Sequence, residues 1–240
     1  FKNEFTKIND VKIFYKFMLK LQEKKILNFT EDFKFYKSHS GNFKVGNNSF
    51  TKEENIRGII YIVRDPRDVC VSWSKHTDST IDETIKFMTN DFQTLWWKDS
   101  QENLFTNEKK PSSVLSSWDN HVASWTLYSW KVPIMILRFE DLVYDKEKVL
   151  LKLVEFFSIN YGFKFKNLEI KIQNILKSTN FERLKKAEEK YGFVEAPEGN
   201  KFFSTGKDKQ WGEKLSKTQL KIIENNFKKT MDMHHYKINS

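Results

Sequence analysis

The feature that most constrains the fold is a short apolar run that passes directly into a helix start. The run Ile59–Val63 contains only aliphatic and aromatic residues, as is typical of a buried parallel strand. It ends at Arg64, and Asp65-Pro66 follows with the chemistry of an N-cap and a first helical residue. We therefore predict a strand, a turn at Arg64 and a helix that continues to about His76.

A second apolar run, at 132–137, predicts another buried strand. Helical patterns lie between the two strands and after them. This alternation predicts an α/β fold, with a parallel central sheet and helices on both faces. Ligands of such folds bind at the carboxyl ends of the strands, which directs attention to the residues after Lys37, Val63 and Leu137.

The remaining elements are predicted from apolar periodicity, capping residues and turn composition. Helices are expected over 10–24, 81–97, 114–130, 165–177 and 180–191, and after Asp145 and Ser216; a strand over 32–37; and loops over 40–57, 103–113 and 193–209. The last helix begins with the capping-box pattern Ser216-Lys-Thr-Gln219. No repeat or Pro/Gly linker interrupts the chain, so we expect one domain over residues 1–240.

Composition excludes several classes of protein. Cys70 is the only cysteine, which excludes an intramolecular disulfide and a Cys-rich metal site, and no metal is expected. No run approaches the roughly 18 apolar residues of a membrane-spanning helix. The net charge of +9 reflects either solvated lysine-rich faces or an anionic ligand. Because no basic run with interleaved aromatics occurs, nucleic acid is not an expected partner.

Arg64 stands where an anion would bind, at the end of a strand and directly before a helix. Backbone N–H groups and the helix dipole point at such a site, and a guanidinium adds a bidentate charge. Ser72, two turns into the helix, adds a hydroxyl donor. The alternative is that Arg64 and Arg67 pair with the neighbouring aspartates and leave no site.

The run Tyr61-Ile-Val-Arg-Asp-Pro-Arg-Asp-Val-Cys-Val-Ser-Trp-Ser-Lys-His76 resembles a nucleotide-binding segment of the sulfotransferases that use 3'-phosphoadenosine 5'-phosphosulfate (PAPS). In that family an Arg and a Ser eight residues apart hold the 3'-phosphate of the donor, and Arg64 and Ser72 have this spacing. The resemblance implies a three-layer, P-loop-like fold with PAPS as co-substrate. It also implies transfer of a sulfuryl group to an acceptor hydroxyl or amine.

The run Phe35-Tyr-Lys-Ser-His39 resembles the Lys-Thr-His segment of the same family, with Ser38 in place of Thr. The resemblance implies that His39 is the base that takes the proton of the acceptor. A neutral imidazole near pH 7 suits that role. Lys37 would offset the negative charge on the sulfuryl group or the bridging oxygen.

Two further segments resemble those that border the adenine of the donor. Phe139 follows the second strand, where the family often has Tyr, so that ring stacking is kept. Thr179 and Phe181 match a Thr-Ser-Phe segment, with Asn180 in place of Ser. The alternatives are a core role for Phe139 and a simple N-cap role for Thr179.

Residues 202–211 resemble a flexible Arg-Lys-Gly loop that closes over the 3'-phosphate, with Trp211 in register five residues after the glycine. Two hydroxyl residues replace the Arg-Lys pair, and two lysines supply point charges instead. The residues assigned to the donor in this loop are Ser204, Thr205, Gly206, Lys207 and Lys209. A further family-like pattern, Trp118-x-x-His121-Val122-x-x-Trp125, has helical spacing and is interpreted as packing.

The first phosphate loop of the family, which resembles Pro-Lys-Ser-Gly-Thr-Thr-Trp and binds the 5'-phosphosulfate, does not occur in this sequence. We therefore expect a chain that lacks the first strand and this loop through N-terminal truncation. A binder of nucleotides or polyanions without catalysis is one alternative. A P-loop-type phosphotransferase is another, although the sequence has no G-x-x-x-x-G-K-[ST]. A small-molecule or glycan acceptor, no membrane segment and a cytoplasmic location are expected.

Overall fold

The computed structural model describes residues 2–22, 33–96, 111–193, 196, 201–203, 206 and 208–238. The elements in chain order are α1 (Lys2–Gln22), β1 (Lys44–Val45), β2 (Asn48–Ser49), a 3₁₀ turn (Glu53–Asn55), β3 (Ile59–Val63), α2 (Pro66–Thr77), α3 (Ile81–Met88), β4 (Thr94–Trp96), β5 (Pro111–Val114), α4 (Trp118–Thr126), β6 (Ile134–Arg138), α5 (Phe139–Tyr144), α6 (Lys146–Tyr161), α7 (Leu168–Ser178), α8 (Phe181–Tyr191), α9 (Trp211–Lys214) and α10 (Lys217–Met233).

The strands of the described residues form three pairs. β3 and β6 are parallel neighbours, which confirms the predicted α/β class. β1 and β2 form a small antiparallel hairpin, with Gly46 at a positive φ of 64° in its turn. β4 and β5 are also antiparallel, with Thr94 opposite Val114.

The chain divides into two compact units. Unit 1 contains Phe1–Ile59 and Phe87–Ile134, and unit 2 contains Ile60–Lys86 and Met135–Ser240. The core of unit 1 is a cluster in which α1 packs against the β1–β2 hairpin and β5. Its buried members are Val11, Tyr15, Phe50 and Val114.

Unit 2 is built around the ends of β3 and β6. Val63 and Leu137 are buried there, whereas Ile62 and Ile136 are exposed. The buried face of α10 includes Phe227. That helix begins with the predicted capping box, in which the Ser216 hydroxyl accepts from Gln219 N and the Gln219 amide accepts from Ser216 N.

Two connections in unit 2 are short. Asp145 is both the C-cap of α5 and the N-cap of α6. Its N–H donates to Asp141 O at 2.8 Å, and its carbonyl accepts from Val149 N at 3.1 Å. The predicted N-cap position is therefore confirmed, although the Asp145 side chain makes no capping hydrogen bond. Residues Thr179 and Asn180 alone separate α7 from α8.

The strand predicted over 32–37 is wrong for the residues that the structure describes, 33–37. The segment 33–40 is neither helix nor strand. Phe35 is 69% exposed and Tyr36 is 65% exposed, so the apparent alternation does not divide the side chains between two faces. A strand also needs a neighbour to complete its hydrogen bonds, and the segment joins none of the strand pairs of the described chain.

The helix predicted over 81–97 ends at Met88. An Asn-based turn follows it, since Phe92 N donates to the Asn90 side chain at 3.0 Å and Gln93 N donates to Asn90 O at 3.2 Å. The next residues, rich in β-forming types, become β4. Trp97 and residues 103–110 of the predicted polar loop lie outside the described residues, and the end of that loop is strand β5.

The helix predicted over 114–130 is shorter, and its first residue, Val114, belongs to β5. Ser116 adopts a positive φ of 60°, which turns the chain between β5 and the helix. Ser117 is the N-cap, and α4 ends at Thr126. By contrast, α1 begins eight residues earlier than its apolar periodicity indicates.

Candidate functional site

The junction between β3 and α2 has the predicted geometry. The Asp65 carboxylate accepts from Arg67 N at 2.9 Å, and Pro66 occupies the first helical position. Asp65 N in turn donates to Glu140 Oε1 at 2.9 Å. Because Glu140 belongs to α5, this bond joins the chain after β3 to the chain after β6.

Arg64 lies over the ring of Phe139, with its Cζ atom 4.4 Å from the ring centroid. The two residues directly follow the paired strands β3 and β6, so the strand ends bring them together. The Arg64 Nε atom is buried and has no hydrogen-bond partner among the described residues. A cation held against an aromatic ring, with a donor left over, is suited to receive an anion.

Arg67 behaves differently from Arg64. Its guanidinium is buried and pairs with Asp65 at 2.7 Å and with Glu224 of α10 at 2.6 Å. Its other face lies 4.1 Å from the Trp211 ring. Burial by itself would lower the pKa of Arg67, but the hydrogen bonds and charges of the two carboxylates raise it. The alternative of local pairing therefore holds for Arg67, whereas Arg64 forms no salt bridge within the described ranges.

Asp68 connects α2 to the segment before Trp211. It is 1% exposed, and its Oδ2 atom accepts from Lys209 N at 2.6 Å. Burial raises the pKa of Asp68, and the bond from Lys209 and the charge of Arg64 oppose that rise. Ser72 lies one turn further along α2, on the same side of the helix as Asp68, and is exposed.

Phe181 and Gly206 are in direct contact. Gly206 has a φ of +61°, and a Cβ atom added to it would lie 2.5 Å from the Phe181 ring. Both the backbone conformation and the close approach therefore require glycine. Phe203 adds an edge-on ring contact, with its centroid 6.1 Å from that of Phe181.

Thr179 is not the N-cap of α8. The cap is Asn180, whose side chain accepts from Arg183 N, and Thr179 is the last cap of α7. The alternative of a simple N-cap role for Thr179 is therefore wrong, because the Asn180 amide supplies the cap instead. Lys146, the first residue of α6, donates to Thr179 O at 2.8 Å.

The loop after Phe203 is described in part. Ser204, Thr205 and Lys207 lie outside the described residues. Lys209 has a positive φ of 56° and an exposed side chain. Its position is set by its backbone bond to Asp68, a contact that the sequence reasoning missed because a buried aspartate inside a helix carries no pattern of its own.

Lys37 and His39 belong to unit 1, and both are exposed. Backbone contacts hold the chain there, since the ring of His121 in α4 lies 3.1 Å from His39 O and Trp125 Nε1 donates to Ser40 O at 3.0 Å. Burial lowers the pKa of His121. The sequence pattern that contains His121 and Trp125 was interpreted as packing. That interpretation misses the polar contacts that these two side chains make with the backbone of His39 and Ser40.

A cleft of about 870 Å³ lies beside this segment in unit 1. Its walls come from the β1–β2 hairpin and α4, and they combine amide, charged and aromatic groups. They include Asn42, Lys44, Glu54, Asn120, Tyr128 and Trp130. Asn42 follows His39 by three residues and Asn120 precedes His121, so the cleft adjoins the segment that holds the candidate base.

No group of three or more His, Cys, Asp or Glu side chains among the described residues is arranged to hold a metal ion. No helix within the same residues is long and apolar enough to cross a membrane.

Known structures resemble this chain in fold. A mouse sulfotransferase, SULT7A1, complexed with PAP aligns with a TM-score of 0.53 at 22% identity, over 75% of this chain and 59% of that one. Retinol dehydratase in complex with androsterone and inactive cofactor PAP aligns with a TM-score of 0.50 at 21% identity, over 72% of this chain and 46% of that one.

Sequence comparison gives the family. Luciferin sulfotransferase from Photinus pyralis is 28% identical over 176 residues, which are 69% of this chain and 42% of that protein. The chain therefore spans less than half the length of this relative. The profile of the sulfotransferase domain matches residues 9–234, nearly the whole chain, and confirms the resemblance seen in the motifs. The chain belongs to the sulfotransferase domain family.

Proposed function

We propose that this protein is a sulfotransferase that moves a sulfuryl group from PAPS to a hydroxyl or amine acceptor. The observation that carries the proposal is Arg64, which lies against Phe139 at the ends of two parallel strands with a buried donor unused by the described residues. A 3'-phosphate is the anion that would accept from this group. The adenine of the same nucleotide would then stack near Phe139.

The rest of the proposed donor site lies in unit 2. Ser72 adds a hydroxyl to the 3'-phosphate, and Lys209 adds a positive charge near it. The bond from Lys209 N to Asp68 supports this, since it ties the loop to the helix that carries Ser72. Thr179 and Phe181 border the adenine, and Gly206 belongs to the loop that closes over the 3'-phosphate. The contact between Phe181 and Gly206 supports a donor site that both segments share.

The proposed chemistry is an in-line displacement at sulfur. His39 accepts the proton of the acceptor group while the acceptor oxygen or nitrogen forms a bond to sulfur, and the S–O bond to the phosphate of the donor breaks. The leaving product is adenosine 3',5'-bisphosphate (PAP). Lys37 offsets the negative charge that develops on the bridging and sulfuryl oxygens. Exposure of both side chains supports access by a substrate.

The acceptor is proposed to be a small molecule or a glycan bound in the cleft beside Asn42 and Asn120. A volume of about 870 Å³ and a mixed polar and aromatic lining are within the range of such sites. We also propose one domain over residues 1–240 and a cytoplasmic location, as the lone Cys70 and the family favour; fractionation that recovers the protein with membranes would contradict the location.

The experiment that tests the donor site is calorimetric titration with PAP, 5'-AMP and ATP. We expect preference for PAP, and Arg64→Ala should weaken PAP binding by about ten- to a hundredfold, the scale of lost hydrogen bonds to a charged group. Affinity for 5'-AMP should change little, because it lacks the 3'-phosphate.

Arg57→Ala is a matched control, because Arg57 also lies over a phenylalanine ring, that of Phe33, at 4.9 Å. It should bind PAP as the unsubstituted protein does. Equal binding of PAP and 5'-AMP by the unsubstituted protein would contradict the proposal. Tighter, metal-dependent binding of ATP would favour a phosphotransferase instead.

A further inference from the structure

Glu188 is a buried acid to which the sequence patterns give no role. It lies in α8, two turns after Phe181, and is 8% exposed. Its carboxylate accepts two successive backbone N–H groups, from Phe202 to Oε1 at 2.6 Å and from Phe203 to Oε2 at 2.9 Å. Hydrogen bonds to an ionised acceptor are the stronger kind, and burial adds to the cost of losing them.

These two bonds fix the chain just before the glycine that touches Phe181. The Phe203 ring packs edge-on against Phe181, and three residues later the backbone of Gly206 lies on the same ring. One helix therefore holds this stretch at two points, through Phe181 at its first residue and through Glu188 two turns further on. If one of these two contacts were lost, only the other would still hold Phe202, Phe203 and Gly206 against α8.

We propose that Glu188 is a positioning residue for the nucleotide site, which keeps Phe202 and Phe203 in place so that Gly206 stays against the Phe181 ring. The inference rests on the proposed function, in which Phe181 borders the adenine and Gly206 belongs to the loop over the 3'-phosphate. Glu188 itself need not touch the ligand. Its contribution to binding is the order that it imposes on the chain before the ligand arrives.

The adjacent acid, Glu189, provides a matched comparison. It also contacts this stretch, through an ion pair with Lys201 at 3.2 Å, but the two side chains are 46% and 64% exposed. Exposed pairs of this kind contribute little, because water and salt screen them. Glu188→Gln and Glu189→Gln therefore remove the same charge from neighbouring positions of one helix, and only the first breaks the buried bonds.

The test combines PAP titration with amide hydrogen exchange at Phe202 and Phe203 in the unsubstituted protein and both variants. In Glu188→Gln an NH₂ group faces a backbone N–H, so exchange at one or both amides should accelerate and PAP affinity should fall about tenfold, as for one lost charge-assisted bond. Glu189→Gln should match the unsubstituted protein in both measurements.

Faster exchange with unchanged PAP affinity would overturn the inference, and so would weaker binding without faster exchange at these two amides. If Glu188→Gln does not fold, Gly206→Ala perturbs the same contact from the other side and should also weaken PAP binding; unchanged affinity in that variant would overturn the inference. Absence of PAP binding by the unsubstituted protein would overturn the proposed function and this inference with it. Normal binding with an unaffected variant would overturn this inference alone.

Discussion

Arg64 and His39 are held in place by different kinds of contact. Arg64 stands between β3 and α2, and its side chain rests on Phe139, which follows the paired strand. His39 stands in a segment without regular structure, and contacts to its backbone hold that segment. One comes from His121, and another is the bond from the Tyr15 hydroxyl to Gly41 O at 3.0 Å.

The difference separates the proposed binding residue, Arg64, from the proposed base, His39. A site that lies at strand ends and a helix start is rigid, because the hydrogen bonds of the strands and the helix fix its backbone. The His39 segment depends on donors that lie 26 to 85 residues away in the sequence. We therefore expect changes near Arg64 to act on nucleotide binding and on stability, and changes near His39 to act on the transfer step.

The largest effect is expected for His39→Ala. Loss of the proposed base should lower the rate of sulfuryl transfer by about 10²- to 10⁴-fold, while PAP affinity stays the same. Transfer is measured with PAPS and a panel of hydroxyl and amine acceptors. His235→Ala, at another exposed histidine, is the control. Transfer at an unchanged rate in His39→Ala would show that another group takes the proton, whereas PAP binding without any transfer by the unsubstituted protein would favour a non-catalytic binder.

A second effect, on stability, is expected for Glu224→Gln in unit 2. This change removes the charge of Glu224 from its buried pair with Arg67. The Glu224 side chain is 1% exposed and the Arg67 side chain is 4% exposed, and Asp65 remains as a partner of Arg67. Because Asp65 still pairs with Arg67 and the Gln oxygen still accepts from its guanidinium, the loss should stay below the roughly 3 to 5 kcal/mol of a buried charge without any partner. Urea unfolding should show that loss, and Glu213→Gln on exposed α9 should show almost none. Equal stability of the two variants would mean that the pair contributes little.

The smallest effect is a pH dependence that comes from His121. Because burial lowers the pKa of His121 below its ordinary value of 6.5, the unfolded chain takes up a proton that the folded chain resists. The free energy of unfolding should therefore fall as the pH drops below about 6.5, by at most about 1.4 kcal/mol per pH unit for this group. His121→Gln keeps a donor for His39 O and should reduce that slope, as measured by urea unfolding at several pH values.

His234 offers the corresponding group in unit 2, since burial also lowers its pKa. His234→Gln should remove its own part of the slope, as measured by the same urea unfolding series. An unchanged slope in His121→Gln would mean that protonation of this ring is not resisted by the fold.

The parts of the fold that could be predicted are those whose causes are local. The strand Ile59–Val63, the Asp65-Pro66 helix start and the Ser216 capping box each depend on neighbouring residues, and the structure has all three. The segment 33–40 could not be predicted, because its position depends on Tyr15, His121 and Trp125.

The same division applies to the candidate site. Arg64 was chosen from the sequence because it follows a strand, and Phe139 was chosen from the family resemblance. Their contact follows from the pairing of the two strands. Glu188 and Asp68 were missed, since each accepts from the backbone of a distant loop and either would be an ordinary helix acid by composition. The functional roles of all the proposed site residues, from Lys37 and His39 to Arg64 and Lys209, stay predictions.

The single residue that connects α5 to α6, Asp145, restricts the number of residues that this part of the chain can contain. One residue closes α5, which begins at Phe139, and opens α6, whose first residue bonds Thr179 O. An inserted residue would turn α6 by about 100° and move it by about 1.5 Å, which would carry Lys146 away from that carbonyl. Such a connection can accommodate substitutions but not insertions or deletions. The number of residues from Phe139 to Lys146 therefore sets the distance between the two sides of the proposed adenine pocket.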